Sequence, residues 1–166
     1  MATSPIALTR PEITKLLTHA AVMHFVKLRY GVYTEMGLSR KGSIRSDVLA
    51  INYRKHVVLI EVKSSYADWA GDSKWPSYLG FCDQLYFLVP QYLWDSGKIT
   101  ARGKGTGVMV LDEKTGHLRV VVKARVQELM TDEERMELIL RMAYRGDFTS
   151  RNIKRRNRVF LTKQIK

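Results

Sequence analysis

The stretch LIEVKSSYADWAGDSKW, residues 59–75, opens as a strand that belongs in a core, yet it carries Glu61 and Lys63 two positions apart. The flanking residues Val57, Val58, Leu59, Ile60 and Val62 are all apolar, so the run predicts a central strand covered on both faces. Alternate side chains of a strand point to opposite faces, which puts Glu61 and Lys63 on the same side. A buried carboxylate and a buried ammonium both need partners.

A first partner lies upstream. IRSDVLAINY, residues 44–53, reads as a second strand, and Arg54-Lys55 as a tight hairpin turn. Pairing SDVLAIN antiparallel with VVLIEVK across that turn brings Asp47 close to Glu61. Two carboxylates in one sheet region repel each other unless a cation neutralises them, and a hard divalent ion with oxygen preference does so directly. Mg²⁺ or Mn²⁺ fits these ligands. Lys63, on the same side, is placed to hold a water near such an ion or to stabilise charge building on a phosphate.

The remaining chain frames this hairpin. Pro11 suits the first turn of a helix in which Ile13, Leu16, Leu17, Ala20, Val22, Met23 and Val26 recur at helical spacing to about Arg29, with Gly31 as its stop. GVYTEMGL predicts a short strand and SRKGS a basic turn. YADWAGDSKWPSYLGFC, residues 66–82, holds helical pieces broken by Gly71 and Pro76, and DQLYFLVP returns to strand. GTGVMVLD and HLRVVVKA form two further strands joined by the EKTG turn. A last helix starts near Thr131, where Thr131 with Glu134 matches a capping box, and runs to about Tyr144. Strands bracketed by helices indicate an α/β domain.

Composition narrows the function class. The 166 residues, 45% apolar and 27% charged, suit one ordinary folded domain, taken as residues 1–150. No apolar run approaches the roughly 20 residues that cross a bilayer, so no membrane partner is expected. Cys82 is the single cysteine, which excludes an internal disulfide and a multi-cysteine zinc site. It reads as a buried thiol, and the default location is cytoplasmic, at the nucleoid in a bacterium or in the host cytoplasm for a virus. The net charge of +12 points to a polyanion, DNA first, with anionic lipid or an acidic protein as the alternatives. Residues 151–166, RNIKRRNRVFLTKQIK, form a tail with seven basic residues and no acidic one.

Other candidates carry less chemistry. His19 and His24 are five apart on one helix, off the spacing that stacks two ligands, and read as ordinary helix residues. His56 and His117 fall at hairpin turns. ARGKGTG, residues 101–107, lacks the spacing of a phosphate-binding loop and reads as a flexible basic loop against DNA. Asp72 and Lys74 are placed to reach a phosphate or the metal shell and Gln84 to point into the site, while Trp69, Trp75 and Tyr78 read as packing or base stacking.

Asp47 followed after thirteen residues by Glu61-Val62-Lys63 resembles the PD-(D/E)XK nuclease motif on a restriction-endonuclease-like core. The longer segment RSDVLAINYRKHVVLIEVKSSYADWAGDSKWPSYLGFCDQLYFLVP, residues 45–90, is similar to the MmcB-type DNA-repair branch of that superfamily. There an RAD-like strand, an EVK strand, a D-x-K-W-P element and a C-D-x-x-Y-F strand follow in this order. The resemblance implies a mixed central β-sheet flanked by helices and a Mg²⁺- or Mn²⁺-dependent deoxyribonuclease in repair or recombination, an endonuclease rather than an exonuclease. It makes Asp47 and Glu61 metal ligands with the Val62 carbonyl as a third, Lys63 the catalytic lysine, and Glu35 a fourth catalytic or metal-binding member. Arg45, Lys74, Lys104, Arg151, Lys154, Arg155, Arg156 and Arg158 are then the expected DNA contacts, and a homodimer is expected if both strands are cut. The rival reading is a non-catalytic nucleic-acid-binding protein that keeps the scaffold and works through its basic tail.

Overall fold

The computed structural model describes residues 8–39 and 43–145; the basic tail from residue 151 lies outside the described residues. Packing groups the residues up to Met130 as one compact unit and those from Thr131 onward as another.

In the first unit, helix α1 (Arg10–Lys27) precedes six strands: β1 (Gly31–Gly37), β2 (Arg45–Ile51), β3 (Val57–Val62), β4 (Gln84–Pro90), β5 (Thr106–Leu111) and β6 (Leu118–Val122). Short helices α2 (Tyr66–Ala70) and α3 (Trp75–Tyr78), followed by a single 3₁₀ turn at Leu79–Phe81, lie between β3 and β4, and α4 (Gln91–Asp95) follows β4. The strands stand in chain order across one sheet, antiparallel at β1–β2–β3, parallel at β3–β4–β5 and antiparallel again at β5–β6. The fold is α/β, a six-stranded mixed sheet flanked by helices. Every residue of β3 and β5 is buried, which is the reason that both read as apolar runs, broken only by Glu61 in β3 and by Thr106 at the start of β5.

The pleat divides the strands into two faces. Val48, Ala50, Val58, Ile60, Val62, Tyr86 and Leu88 face Ile13, Leu17, Ala21 and Phe25 of α1, which recur every four residues as one stripe. Leu17 is fully buried, and truncating it to alanine is expected to cost about 3 kcal/mol. The opposite face gathers Val89, Leu93, Ile99, Val108 and Val110, with Trp69 and Trp94 packed against them. Asp47, Glu61 and Lys63 have the other parity from Val48, Ile60 and Val62, so they belong to the face away from α1.

The helix differs in detail from its sequence reading. Phe25 and Ala21 are buried, whereas Met23 and Val26 are exposed. A single stripe is buried against the sheet, Leu16, Ala20 and Val22 pack at its margins, and Met23 and Val26 turn outward. Thr9 caps the helix, its N–H and hydroxyl both donating to Glu12 at 2.7 Å. The helix stops at Lys27 before Gly31, and Arg29, not a glycine, takes the left-handed conformation at φ 63°. The β2–β3 turn is held by Asn52, whose side-chain oxygen accepts the N–H groups of Arg54 and His56 at 2.9 and 3.1 Å. Helix α4 has no counterpart in the sequence reading.

The described part of the second unit is helix α5 (Asp132–Arg145), with Leu138 and Met142 buried. The Thr131 N–H and hydroxyl donate to Glu134 and the Glu134 N–H donates back to Thr131, completing the expected capping box. No helix among the described residues is long and apolar enough to cross a membrane.

Candidate active site

The β2–β3 ladder runs from Ile51↔Val57 to Val48↔Ile60 and there gives way to side chains. The Asp47 N–H donates to the Glu61 carboxylate at 3.3 Å, and the Val62 N–H donates to the Asp47 carboxylate at 2.8 Å. Each carboxylate thus takes a backbone donor at the point where the ladder ends, which fixes the two acids side by side. Glu61 is only 4% exposed. Burial, then the charge of Asp47, pushes the Glu61 carboxyl up to about 8. Burial also raises Asp47, against the hydrogen bond from Val62 and the attraction of Lys63. In the bare protein the pair therefore resists full ionisation at neutral pH.

Lys63 follows β3 on the same side. Its ammonium lies 4.0 Å from Glu61 and 2.7 Å from Asp72, and both the lysine and the Asp72 side chains are buried. Asp72 also accepts the N–H groups of Lys74 and Trp75 at 2.9 and 3.1 Å, which seats it at the start of α3. Tyr78 closes the far side. Its hydroxyl lies against Glu61 and is held protonated by burial and by the charges of Glu61, Asp72 and Asp47.

Glu35 stands in β1 between the pairs Thr34↔Val48 and Met36↔Ser46, opposite Asp47, with a left-handed backbone at φ 52°. That conformation is strained for a side chain of its kind and persists where the surroundings impose it. Its charge reaches Asp47 and opposes ionisation there, while its carboxylate makes a 2.8 Å ion pair with Arg45. The expected phosphate contact Arg45 is thus also the counter-ion of Glu35.

A cleft of about 400 Å³ opens beside Lys63, lined by Ala67, Asp68, Asp72, Lys74 and Tyr78. A second of about 310 Å³, lined by Ser43, Arg45, Lys74, Ser77 and Tyr78, shares Lys74 and Tyr78 with it. Lys63, Asp72 and Lys74 thus line the first cleft and Arg45 the second, while Asp47 and Glu61 line neither and meet the first through Lys63, and Glu35 meets the second through its ion pair with Arg45. Lys104 is exposed and lines neither cleft. Among the described residues no three His, Cys, Asp or Glu side chains converge as a ready-made metal cluster.

Gln84 and the basic loop depart from their sequence readings. Gln84 pairs with Val58 at the other end of β3, where its side chain bonds His56 and donates to the Ala124 carbonyl at 2.6 Å. Parallel pairing sends residue 84 away from residue 61. Arg102 in the basic loop does not reach outward. Its guanidinium lies 4.1 Å from the Trp69 ring centre and donates to the carbonyls of Asp72, at 2.7 Å, and Trp69. The histidines also gain a setting, since His19, His24 and His117 line one cavity of about 520 Å³ between α1 and the β5–β6 turn. Nothing in the sequence spacing joins His117 to α1.

A protein of unknown function from Silicibacter pomeroyi shares the fold: its solved structure is 23% identical, with a TM-score of 0.68 over 84% of this chain and 88% of its own. No curated protein matches. A family model described as DNA repair protein MmcB-like matches residues 3–145, a span that contains the carboxylate pair, Lys63 and the whole sheet. By that match the chain belongs to the MmcB-like family of DNA repair proteins.

Proposed function

We propose that this chain is a divalent-metal-dependent DNA nuclease, an endonuclease acting in repair. The observation that carries the reading is the juxtaposition of Asp47 and Glu61, two buried carboxylates fixed side by side with Lys63 next to them. A fold that only needed stability gains nothing from burying two acids that repel each other. The donor set fits a hard cation: both carboxyls are raised by burial, and a divalent ion relieves that cost by replacing the proton. Asp47 and Glu61 would hold Mg²⁺ or Mn²⁺ with the Val62 carbonyl, and Glu35 would join directly or through water. Such an ion supplies charge neutralisation and a more acidic bound water.

The chain's own groups do the rest. Lys63 brings a buried ammonium to the charge that builds on the phosphate. Lys74 and Arg45, lining the adjoining clefts, receive neighbouring phosphates of the strand, and Lys104 with Arg151, Lys154, Arg155, Arg156 and Arg158 adds salt-sensitive affinity. A homodimer with one site per strand is one way for such a chain to cut both strands.

The test is cleavage of labelled duplex, single-stranded and branched DNA by the wild type and Glu61→Ala in Mg²⁺, Mn²⁺ or EDTA. Metal-dependent cutting that disappears in the variant while binding persists supports the reading. No cutting under any metal, with binding intact, sinks it in favour of a non-catalytic binding scaffold. The seven basic residues of the tail favour that second reading, and deleting residues 151–166 would then abolish binding.

A further inference from the structure

Lys63 has a second acidic neighbour, closer than Glu61 and outside the paired strands. Asp72 lies nine residues on, in the segment between α2 and α3, and its carboxylate is 2.7 Å from the ammonium. That segment is pinned from two sides. The Lys74 and Trp75 N–H groups hold the Asp72 side chain, and Arg102, thirty residues away, holds its carbonyl and that of Trp69 while stacking on the Trp69 ring. The Arg102 guanidinium is also 5.7 Å from the centre of Phe87, which pairs with Glu61 across β3–β4. A rigid planar fork serves two carbonyls and a ring face together, a task that lysine does not perform.

A lysine has four rotatable side-chain bonds and, left alone in a partly open cleft, spreads over many rotamers. Here one buried acceptor selects among them. We propose that Asp72 is a positioning residue that aims the Lys63 ammonium, and that Arg102 is the strut that holds Asp72 in place. The role in turnover rests on the nuclease reading; the aiming of Lys63 does not.

Two measurements on the full chain separate these. A brief pulse of acetic anhydride at one pH, read lysine by lysine by mass spectrometry, reports how tightly each amine is held. In Asp72→Asn we expect Lys63 to react roughly tenfold faster with the other lysines unchanged, and in Arg102→Met to rise by a smaller factor. An unchanged Lys63, or a rise shared by all lysines, overturns the positioning role. In Mg²⁺-dependent cleavage Asp72→Asn should lower kcat on the order of 10- to 100-fold at unchanged KM, with Asp72→Glu recovering part. A wild-type kcat in Asp72→Asn, or a loss confined to KM, overturns it as well. If the wild type cuts no DNA, the nuclease reading fails by itself and the labelling result alone decides whether Asp72 aims Lys63.

Discussion

The two ends of β3 each bury a carboxylate, and they treat it in opposite ways. At the start of the strand Asp83 accepts the Val57 N–H at 2.7 Å, lies 3.6 Å from the His56 ring, and has its own backbone bonded to Val57 and Gln127. At the far end Glu61, just as buried, meets a second carboxylate. Asp83 takes a short backbone hydrogen bond beside a histidine and ties β3 to β4; Glu61 has donors too, but shares its site with the carboxylate of Asp47. Burial alone therefore does not mark a functional acid. The mark is burial in company that disfavours the charge.

The comparison is broken most severely by chemistry. Glu61→Gln should lower metal-dependent cleavage on the order of 10³-fold or more, whereas Asp83→Asn, assayed on folded protein, should stay within a fewfold of wild type. Equal losses in both would erase the distinction between the two ends.

Stability should move the other way. Asp83→Ala strips the Val57 N–H and His56 of a buried partner and is expected to cost about 3 kcal/mol in urea unfolding. Glu61→Gln at pH 8 in EDTA should instead gain about 1 kcal/mol, because it removes a charge that the fold disfavours. A destabilised Glu61→Gln would make Glu61 a structural residue.

The pH dependence sharpens the point. Folding raises Glu61 from the ordinary carboxylate range to about 8, so between those limits the native state keeps a proton that the unfolded chain has released. Stability in EDTA is thus greatest at the acidic side of this window and is lost as pH climbs through about 8. A Tm falling by about 5 °C or more from pH 5 to 9, flattened in Glu61→Gln and recovered at the alkaline end by Mn²⁺, is the expected pattern. Cys82 should show the smallest effect. Burial pushes its thiol up to about 12, so native protein at pH 8 should react with a thiol reagent far more slowly than urea-unfolded protein.

What the sequence revealed followed from local geometry. Strand alternation joined Glu61 to Lys63, and the Arg54-Lys55 hairpin brought Asp47 near Glu61, since both depend on short-range periods; a two-residue turn would face Asp47 with Val62, and the loop of residues 53–55 between the bonded Asn52 and His56 moves the register by one, to Glu61. The assignments that failed depend on packing across long separations. The spacing puts Asp72 near the site but does not show that it holds Lys63, and the composition of residues 101–107 suggests a DNA-facing loop although the Trp69 ring claims Arg102. Gln84 missed the site because the parallel register, which no local pattern encodes, sends it to the opposite end of β3. Glu35 was legible as an acid in the right strand, but not as a residue in a left-handed conformation paired to Arg45.

The strands stand across the sheet in the order in which they are made, and this shapes how the chain folds. Each strand adds beside its predecessor, and the β2–β3 hairpin closes the shortest loop in the sheet. We expect that hairpin in the folding nucleus, with Asp47 and Glu61 meeting before residues 72 and 102 arrive to settle Lys63. The last pair of that hairpin to close would then be a repulsive one, a brake built into the nucleus. Stopped-flow refolding should accordingly be faster for Glu61→Gln than for the wild type at pH 8, and equal refolding rates would place the hairpin late.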